Sequence, residues 1–288
     1  MKIHSQKFFY RFLVIMLFSS CFLLRGAESV LWKEDGSDLI KGSKGWQENE
    51  KSLMIRPAAS GKGFTLESPE HDRHTISVLV PIVKTHPWMV WKVDRFNPEI
   101  RYKGLIMPMI AGLKNTSLAQ AGAVEPGIWQ TNLGAANELP SQVAKRNMRI
   151  DFYGGSVDFE YIKIMEKPDV IIEADSVSSA IGLGDEVVFR VTLSKPAEDV
   201  TLRFFHNYCI SEVKINNSNT LQLLPVDRDN PLVWQAKIKI DSATPGRLGK
   251  DKQFTVGTLF FKATILGGEI DLPVWTANTK DFNILKWE

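Results

Sequence analysis

The sequence predicts an all-β protein in which two β-sandwich domains follow a cleaved signal peptide. Strand-length runs of β-branched and aromatic residues recur between Gly, Pro, Asn and Asp turn signals along most of the chain. Helical periodicity is scarce and limited to short segments. A charged stretch containing Pro168 interrupts two strand-like runs, which places the domain boundary there. We therefore expect a first domain at 28–166 and a second domain at 169–288.

Residues 1–27 have the three parts of a signal peptide. Basic residues lie within the first eleven positions, residues 12–24 form an apolar run without charge, and Gly26-Ala27 offers small residues for cleavage. We therefore expect a protein that works outside the cytoplasm, secreted or in the periplasm or cell envelope.

Two other interpretations of the leader remain open. A membrane anchor would need an apolar run of about 20 residues, and this run is shorter. A lipoprotein signal would make Cys21 the lipidated N-terminus, although polar tether residues do not follow it. Cleavage is the favoured interpretation, and it predicts no stable membrane insertion of the mature chain.

The composition of the mature chain argues against nucleic acid as a partner. The leader holds four basic residues and no acidic one, so its removal lowers Lys plus Arg from 35 to 31 against 33 acidic residues, a net charge of −2. The mature chain therefore lacks the excess of basic residues that is typical of proteins that bind nucleic acid. Cleavage also leaves Cys209 as the single cysteine, which excludes an intrachain disulfide.

The first domain is rich in strand signals and in tryptophan. Five of the eight tryptophans lie in it, at positions 32, 46, 88, 91 and 129. The segment Tyr153–Ser156 contains two glycines between apolar runs, which predicts a tight hairpin turn. If Trp88 and Trp91 share one strand, their side chains point to opposite faces. The predicted strands are 53–55, 75–83, 88–93, 105–110, 148–152 and 157–164.

The second domain shows regular alternation between apolar and polar residues. In its clearest strand, Trp234, Ala236, Ile238 and Ile240 lie on one face and polar residues lie on the other, as in a half-buried antiparallel strand. About seven such strands over this length favour a β-sandwich. The predicted strands are 170–174, 186–193, 200–205, 221–224, 233–240, 256–265 and 282–287.

The second domain resembles the immunoglobulin-like modules of bacterial surface and secreted proteins. The resemblance rests on a first strand at 170–174, the turn Gly182-Leu183-Gly184-Asp185 and the strand 187–191. Such modules are commonly spacers or ligand platforms, and this resemblance implies such a role by analogy.

The first domain is similar to the galactose-binding-like jelly rolls found in many carbohydrate-binding modules. The similarity rests on Leu31-Trp32 followed by an acidic loop, on the strand 88–93 and on a final strand of the 157–164 kind. It implies a ligand site at loops on one end of the sandwich, and a structural calcium ion in some members.

Several side chains of the first domain are predicted to bind sugar, because pyranose rings pack their C–H faces on aromatic rings while their hydroxyls need polar partners. Trp129 and Trp46 lie in turn-rich, polar surroundings that favour exposure. Packing in a core is the alternative for both. The predicted ligand-binding residues are Trp129, Trp46, Arg95, Asn97 and Asn132.

Metal binding and catalysis receive weaker support. Carboxylates that could hold a structural calcium ion are Asp35, Asp38, Asp158 and Glu160, and turn or capping roles are the default interpretation of them. No other cofactor is expected. The sequence has no G-x-S-x-G, H-E-x-x-H or phosphate-binding loop motif, so we expect no enzyme activity.

Two functional hypotheses follow from these observations. The first is a secreted, non-catalytic protein that binds a polysaccharide or glycan through loop aromatics of the first domain. The second is a structural or adhesive envelope protein that contacts another protein through a sheet edge or apolar patch. A role as an accessory to a carbohydrate-active hydrolase is a further alternative. The sequence does not indicate an oligomeric state.

Overall fold

The computed structural model describes residues 30–36, 47–48, 54–82, 88–97, 105–110, 126–132, 144–178, 181–206, 211–245, 259–268 and 273–277. These residues form eighteen β-strands and no helix, so the predicted all-β class is confirmed. Accordingly, none of them belongs to a helix that is long and apolar enough to cross a membrane. The predicted signal peptide at 1–27 lies outside the described residues.

The first half of the chain contributes eight strands, β1 to β8. Their bounds are Val30–Glu34, Gln47–Glu48, Met54–Pro57, Phe64–Ile82, Trp88–Asn97, Leu105–Ile110, Gly127–Asn132 and Ala144–Met165. The second half contributes ten strands, β9 to β18. Their bounds are Val170–Asp175, Glu186–Leu193, Asp199–His206, Ser211–Ile215, Thr220–Gln222, Leu224–Pro225, Val233–Lys239, Ala243–Pro245, Leu259–Leu266 and Val274–Ala277.

Strand β8 organises the first half because it has partners along both edges. Its 22 residues span about 70 Å at the usual rise per residue. One edge pairs with β4 and then with β1, and the other pairs with β6 and then with β5, all antiparallel. The adjacency of β1 and β8 brings together the two terminal strands of the predicted first domain.

The predicted hairpin turn at Tyr153–Ser156 is wrong. These residues lie within β8, and β4 pairs with β8 on both sides of them. Gly155 has a φ of +87°, and the ladder shifts register here because β4 inserts residues 69–72 between its paired positions Ser68 and Arg73. The glycines therefore accommodate a bulge in a long strand, and pairing beyond both ends overrides the turn signal.

An aromatic row forms the core of the first half. Phe64, Phe159, Trp91 and Trp129 come from β4, β8, β5 and β7, and successive ring centroids lie 5.4, 5.8 and 5.7 Å apart. All four side chains are fully buried. Tilted aromatic contacts at these distances are favourable beyond the apolar area that they bury. We call this side of the sheet the inner face.

The second half is a sandwich of two sheets. One sheet has the order β9-β10-β15-β14, and the facing strands run in the order β11-β17-β18. This arrangement agrees with that of immunoglobulin-type sandwiches, in which the strands are ordered ABED and CFG. Alternation in β15 is confirmed, because Trp234 is buried while Gln235, Lys237 and Lys239 are exposed. Residues 166–169, around Pro168, separate β8 from β9 as predicted.

Three phenylalanines join the two sheets of this sandwich. Phe189 of β10 lies 5.3 Å from Phe204 of β11 and 5.9 Å from Phe261 of β17, measured between ring centroids. All three side chains are fully buried within one apolar cluster of the second half. Burial of such rings from opposite sheets provides the main cross-sheet attraction.

The two halves share one continuous sheet. Strand β18 pairs in parallel with β7, and the Ile128 amide donates a hydrogen bond to the Pro273 carbonyl oxygen at 2.9 Å. Through this pairing the sheet reaches fourteen strands and runs from β16 to β2. All described strands of the first half belong to this sheet, so the described residues do not show the two-sheeted jelly roll. The galactose-binding-like assignment and the domain boundaries stay predictions.

We expect Phe189→Ala to lower the free energy of unfolding by about 3–5 kcal/mol, because it removes the ring that contacts both partners across the sandwich. Denaturant titration followed by tryptophan fluorescence measures the change. Gln235→Ala is the control, since this exposed β15 side chain should change stability by less than about 0.5 kcal/mol. Equal effects of the two substitutions would contradict the assignment of Phe189 to the core.

Substitutions at the two glycines before β4 distinguish the cost of backbone strain from the cost of steric overlap. Gly61 and Gly63 both have a φ of +76°, but a Cβ on Gly61 would meet no atom within 4 Å. A Cβ on Gly63 would overlap the Phe159 carbonyl oxygen and lie 2.6 Å from the Glu160 Cα. We expect Gly61→Ala to cost about 1–2 kcal/mol of stability and Gly63→Ala to cost at least a further ~1–3 kcal/mol. Thermal unfolding measures both, and similar losses would contradict the close approach.

Candidate functional site

The outer face of β5 and β8, opposite the aromatic row, carries the candidate site. Cross-strand pairing places Tyr161 of β8 beside Lys92 of β5, and Lys163 beside Val90. Trp88 also lies on this face, where it packs near Val90, whereas Trp91 lies on the inner face. The predicted divergence of the two tryptophans is therefore confirmed.

Two consecutive bulges shape this face. The β5–β8 ladder shifts once at Glu160 and once at Asp94, so each strand has one residue without a directly paired partner. The bulge at Glu160 changes which residues of β8 face outwards. Ile162 and Ile164 are buried beyond it, while Tyr161 and Lys163 lie on the outer face. Bulges commonly redirect side chains in this way next to functional sites.

A row of charged and polar side chains crosses the outer face beside these bulges. Lys92 pairs with Glu160, and Arg95 Nε lies 3.0 Å from Asp158 Oδ2. The Thr65 hydroxyl donates a hydrogen bond to Asp158 Oδ1 at 2.7 Å. Asp158 is buried, with its side chain 7% exposed, whereas the Arg95 side chain is 58% exposed. These contacts compensate for the burial of the Asp158 carboxylate.

The pKa of the Asp94 carboxyl group, which belongs to this row, is raised above its ordinary value. Desolvation by partial burial raises its pKa, Lys92 opposes that change, and the carboxylates of Glu160 and Asp158 add to it. Lys62 lowers the pKa to a smaller extent. Burial and the two like charges together outweigh both lysines, so the charged form of Asp94 is disfavoured in the folded protein.

A groove lies where the outer face meets the start of the second half. We call it the seam groove. It encloses about 30 Å³ between the outer face and residues 168–170, and it is partly open to solvent. Tyr161 and Lys163 line it, and the Lys163 ammonium lies 4.4 Å from the centroid of the Tyr161 ring. Buried Gln130 donates a hydrogen bond from Nε2 to the Val170 carbonyl oxygen at 2.6 Å, which fixes the groove's far wall.

Trp129 does not lie in an exposed loop, and that part of the prediction is wrong. It belongs to β7, is 1% exposed and packs against Trp91 in the aromatic row. Its turn-rich flanks favoured a loop, but pairing with β5 and β18 extends the strand through this segment. In this position the indole offers no exposed face to a sugar.

The other predicted sugar-binding residues are not brought together at the seam groove. Arg95 lies on the outer face and pairs with Asp158. Asn97 and Asn132 are the last residues of β5 and β7, where they pair with Ser156 and Trp88. Trp46 lies outside the described residues.

Three of the four carboxylates predicted to bind calcium form ion pairs with lysine or arginine side chains. Asp158 and Glu160 pair with Arg95 and Lys92, and Asp35 forms an ion pair with Lys33 at 3.0 Å. Asp38 lies outside the described residues. No group of three His, Cys, Asp or Glu side chains in the described part of the chain is arranged to hold a metal ion.

Sequence reasoning missed Tyr161 and Lys163 as possible binding residues. Strict alternation from Phe159 places Tyr161 and Lys163 on the buried side with it, whereas the bulge at Glu160 reverses this parity. The charged residues Asp158, Glu160 and Lys163 indicate a strand with a polar side, but their spacing does not reveal which residues lie on that side.

Comparisons with known proteins identify no family for the chain. No protein-family model matches the chain, and no curated protein matches it. The glycoside hydrolase domain of Endo-D from Streptococcus pneumoniae is 9% identical, with 83% of this chain and 37% of that chain covered and a TM-score of 0.29.

Two further solved structures show similarly low values. A DUF4785 family protein from Legionella pneumophila is 10% identical, with coverage of 83% of this chain and 63% of that chain and a TM-score of 0.26. A β-glucuronidase from Bifidobacterium dentium is 7% identical, with 73% and 39% covered and a TM-score of 0.25. The chain spans less than two thirds of each of the three structures, and such scores assign no activity to it.

We expect Asp94→Asn to stabilise the protein most at neutral pH. A folded-state pKa above the ordinary 3.8 means that the folded state binds the proton more tightly. This contribution is fully present below the unfolded-state pKa and is lost as pH rises through the folded-state pKa. The thermal midpoint of the variant should therefore exceed that of the wild type near neutral pH and approach it in acid.

Unfolding curves across the acidic range test this expectation. Glu173→Gln is the control, because this exposed carboxylate lies on β9 away from the charged row. Parallel pH profiles for Asp94→Asn and the wild type would contradict the assignment.

Proposed function

We propose that the chain is a non-catalytic carbohydrate-binding protein that acts outside the cytoplasm, and that the seam groove is its ligand site. The observation that carries this proposal is the Tyr161 ring on the wall of a preformed groove. Lys163 lines the same groove and Lys92 is the cross-strand partner of Tyr161, so ammonium groups that can hydrogen-bond to hydroxyls lie beside the ring. The extracytoplasmic location rests on the sequence features of residues 1–27 alone.

The chemistry of the groove suits a sugar. A pyranose presents C–H groups on its ring faces and hydroxyls around its edge, so it needs an apolar or aromatic surface with polar groups nearby. Val90 and Met165 line the same wall as Tyr161, and the Lys163 ammonium provides a polar partner. A mostly apolar site with a few placed polar groups is the common pattern for small-molecule recognition.

Rigidity of the groove supports binding without a large ordering cost. Tyr161 lies directly after the bulge, where the β5–β8 ladder resumes and pairs it with Lys92. The bulge at Glu160 sets its direction, and the bond from Gln130 to Val170 holds the opposite wall. Groups that are already fixed lose little conformational entropy when a ligand arrives.

A binding role fits the carboxyl groups around Tyr161 better than catalysis does. Glu160 is paired with Lys92, and Asp169 accepts a hydrogen bond from the Ser194 hydroxyl at 2.7 Å. Hydrolysis of a glycosidic bond by the usual mechanism needs two carboxyl groups on opposite sides of the scissile bond. Here the nearby carboxyls already serve an ion pair and a hydrogen bond to Ser194.

We expect Tyr161→Ala to weaken glycan binding by about tenfold or more, which corresponds to about 1.4 kcal/mol of lost contact. A glycan array identifies ligands of the mature wild-type chain, and titration calorimetry then compares the variants. Tyr161→Phe is the matched control, since it keeps the ring and should keep most of the affinity. Circular dichroism confirms that each variant is folded.

The two possible failures point to different conclusions. Unchanged affinity in folded Tyr161→Ala would exclude the seam groove as the site. A wild-type chain that retains no glycan would contradict the carbohydrate function itself and would favour the structural or adhesive alternative.

A further inference from the structure

We propose that the seam groove recognises an N-acetylated amino sugar and that the acetamido group of this sugar enters the groove. This inference rests on the proposed carbohydrate function and adds the class of ligand. The size of the groove, the burial of its lining residues and the two opposite charges at its rim lead to it.

The groove has room for one substituent of a sugar, whereas a whole sugar ring is too large for it. It encloses about 30 Å³, and a single water molecule needs roughly 10–15 Å³. About two water-sized groups therefore fit inside. A hexopyranose with its hydroxyls is several times larger, so its ring must stay outside, beside Tyr161. Only a small exocyclic group of the sugar can enter.

The deep part of the groove is apolar. Four of its lining residues are at most 5% exposed, namely Val90, Met165, Val170 and Val274. The buried Gln130 carboxamide in the same lining donates its hydrogen bond to the Val170 carbonyl oxygen. A hydroxymethyl or carboxylate group would therefore leave water here for a surface of methyl groups and a thioether, which is unfavourable. A substituent that ends in a methyl group avoids this cost.

The rim of the groove carries one positive and one negative side chain. Lys163 is half-buried and Asp169 is exposed, and both line the groove. Opposite charges at the rim give it no preference for a ligand of either sign. An ammonium donates hydrogen bonds, and a carboxylate accepts several, so the bond from the Ser194 hydroxyl to Asp169 Oδ1 leaves Asp169 able to accept another. A neutral amide matches this rim, because its carbonyl oxygen accepts and its N–H donates.

An acetamido group meets all three conditions at once. Its methyl group suits the apolar depth, its amide suits the rim, and its size suits the volume. A deoxy sugar with a methyl substituent lacks the amide, and an O-acetyl ester lacks the N–H donor. The groove therefore favours an N-acetylated amino sugar over both of these alternatives.

The probes are methyl glycosides of N-acetylglucosamine and N-acetylgalactosamine, their N-propionyl analogues, and the parent methyl glucoside and galactoside. We expect the mature wild-type chain to bind one or both N-acetyl probes about tenfold or more tightly than the parent hexoside. It should also prefer N-acetyl to N-propionyl, because one more methylene overfills the groove. In saturation-transfer NMR, the acetyl methyl protons should receive more saturation than the protons of the sugar ring.

Val90→Ala tests the fit from the side of the protein. It removes two methyl groups from the lining of the groove, and the space they leave can take the extra methylene of the N-propionyl probe. We expect the preference to shift towards N-propionyl by about fivefold or more. Val157→Ala is the matched control, because it makes the same change at a buried residue of β8 that does not line the groove. Circular dichroism confirms that both variants are folded.

Equal wild-type affinity for the N-acetyl and parent probes would overturn the inference while the carbohydrate function stands. The same conclusion follows if the ring protons receive more saturation than the acetyl methyl, or if folded Val90→Ala keeps the wild-type preference. The wild-type measurements decide the inference even if Val90→Ala does not fold. Retention on the glycan array of glycans without acetamido groups alone would also overturn it. Binding of no glycan at all would contradict the proposed function as well.

Discussion

Backbone pairing along both edges of β8 is the interaction on which the rest of the structure depends. This one strand joins β4 and β1 to β6 and β5, and so carries the sheet of the first half. Its inner face supplies Phe159 to the aromatic row, and its outer face supplies Tyr161 and Lys163 to the seam groove. Core and candidate site are therefore two sides of the same hydrogen-bonded ladder.

A bulge at Glu160 lets β8 present apolar residues on its inner face and polar residues on its outer face, because it reverses the alternation of inward and outward side chains. Beyond Glu160, residues that would otherwise continue the outer face turn inwards, and Ile162 and Ile164 extend the core. The cost is one unpaired position on each strand, at Glu160 and Asp94. Ion pairing of Glu160 with Lys92 offsets part of that cost, and Asp94 keeps a raised pKa. Local disruption of a sheet commonly accompanies a functional surface for this reason.

Sequence patterns predicted the parts of this fold that depend on composition and on simple periodicity. The all-β class, the alternation in β15, the divergence of Trp88 and Trp91 and the interruption at Pro168 all follow from residue type and spacing, and the structure confirms them. The features that escaped prediction depend on partners far away in the chain. Trp129 is buried because β5 and β18 pair with its strand, and Tyr161 faces outwards because of a register shift against β5. Neither pairing leaves a local mark in the sequence.

The parallel pairing of β7 with β18 has a consequence for the order in which the fold can form. The two strands are about 140 residues apart in the chain, and contacts between such distant segments form slowly because a long loop must close first. Until β18 has paired, the edge of β7 that it will cover stays open to other strands. A chain in which this pairing has not yet formed is therefore exposed to edge-to-edge association, and a holdase that shields that edge would raise the yield of correctly paired molecules.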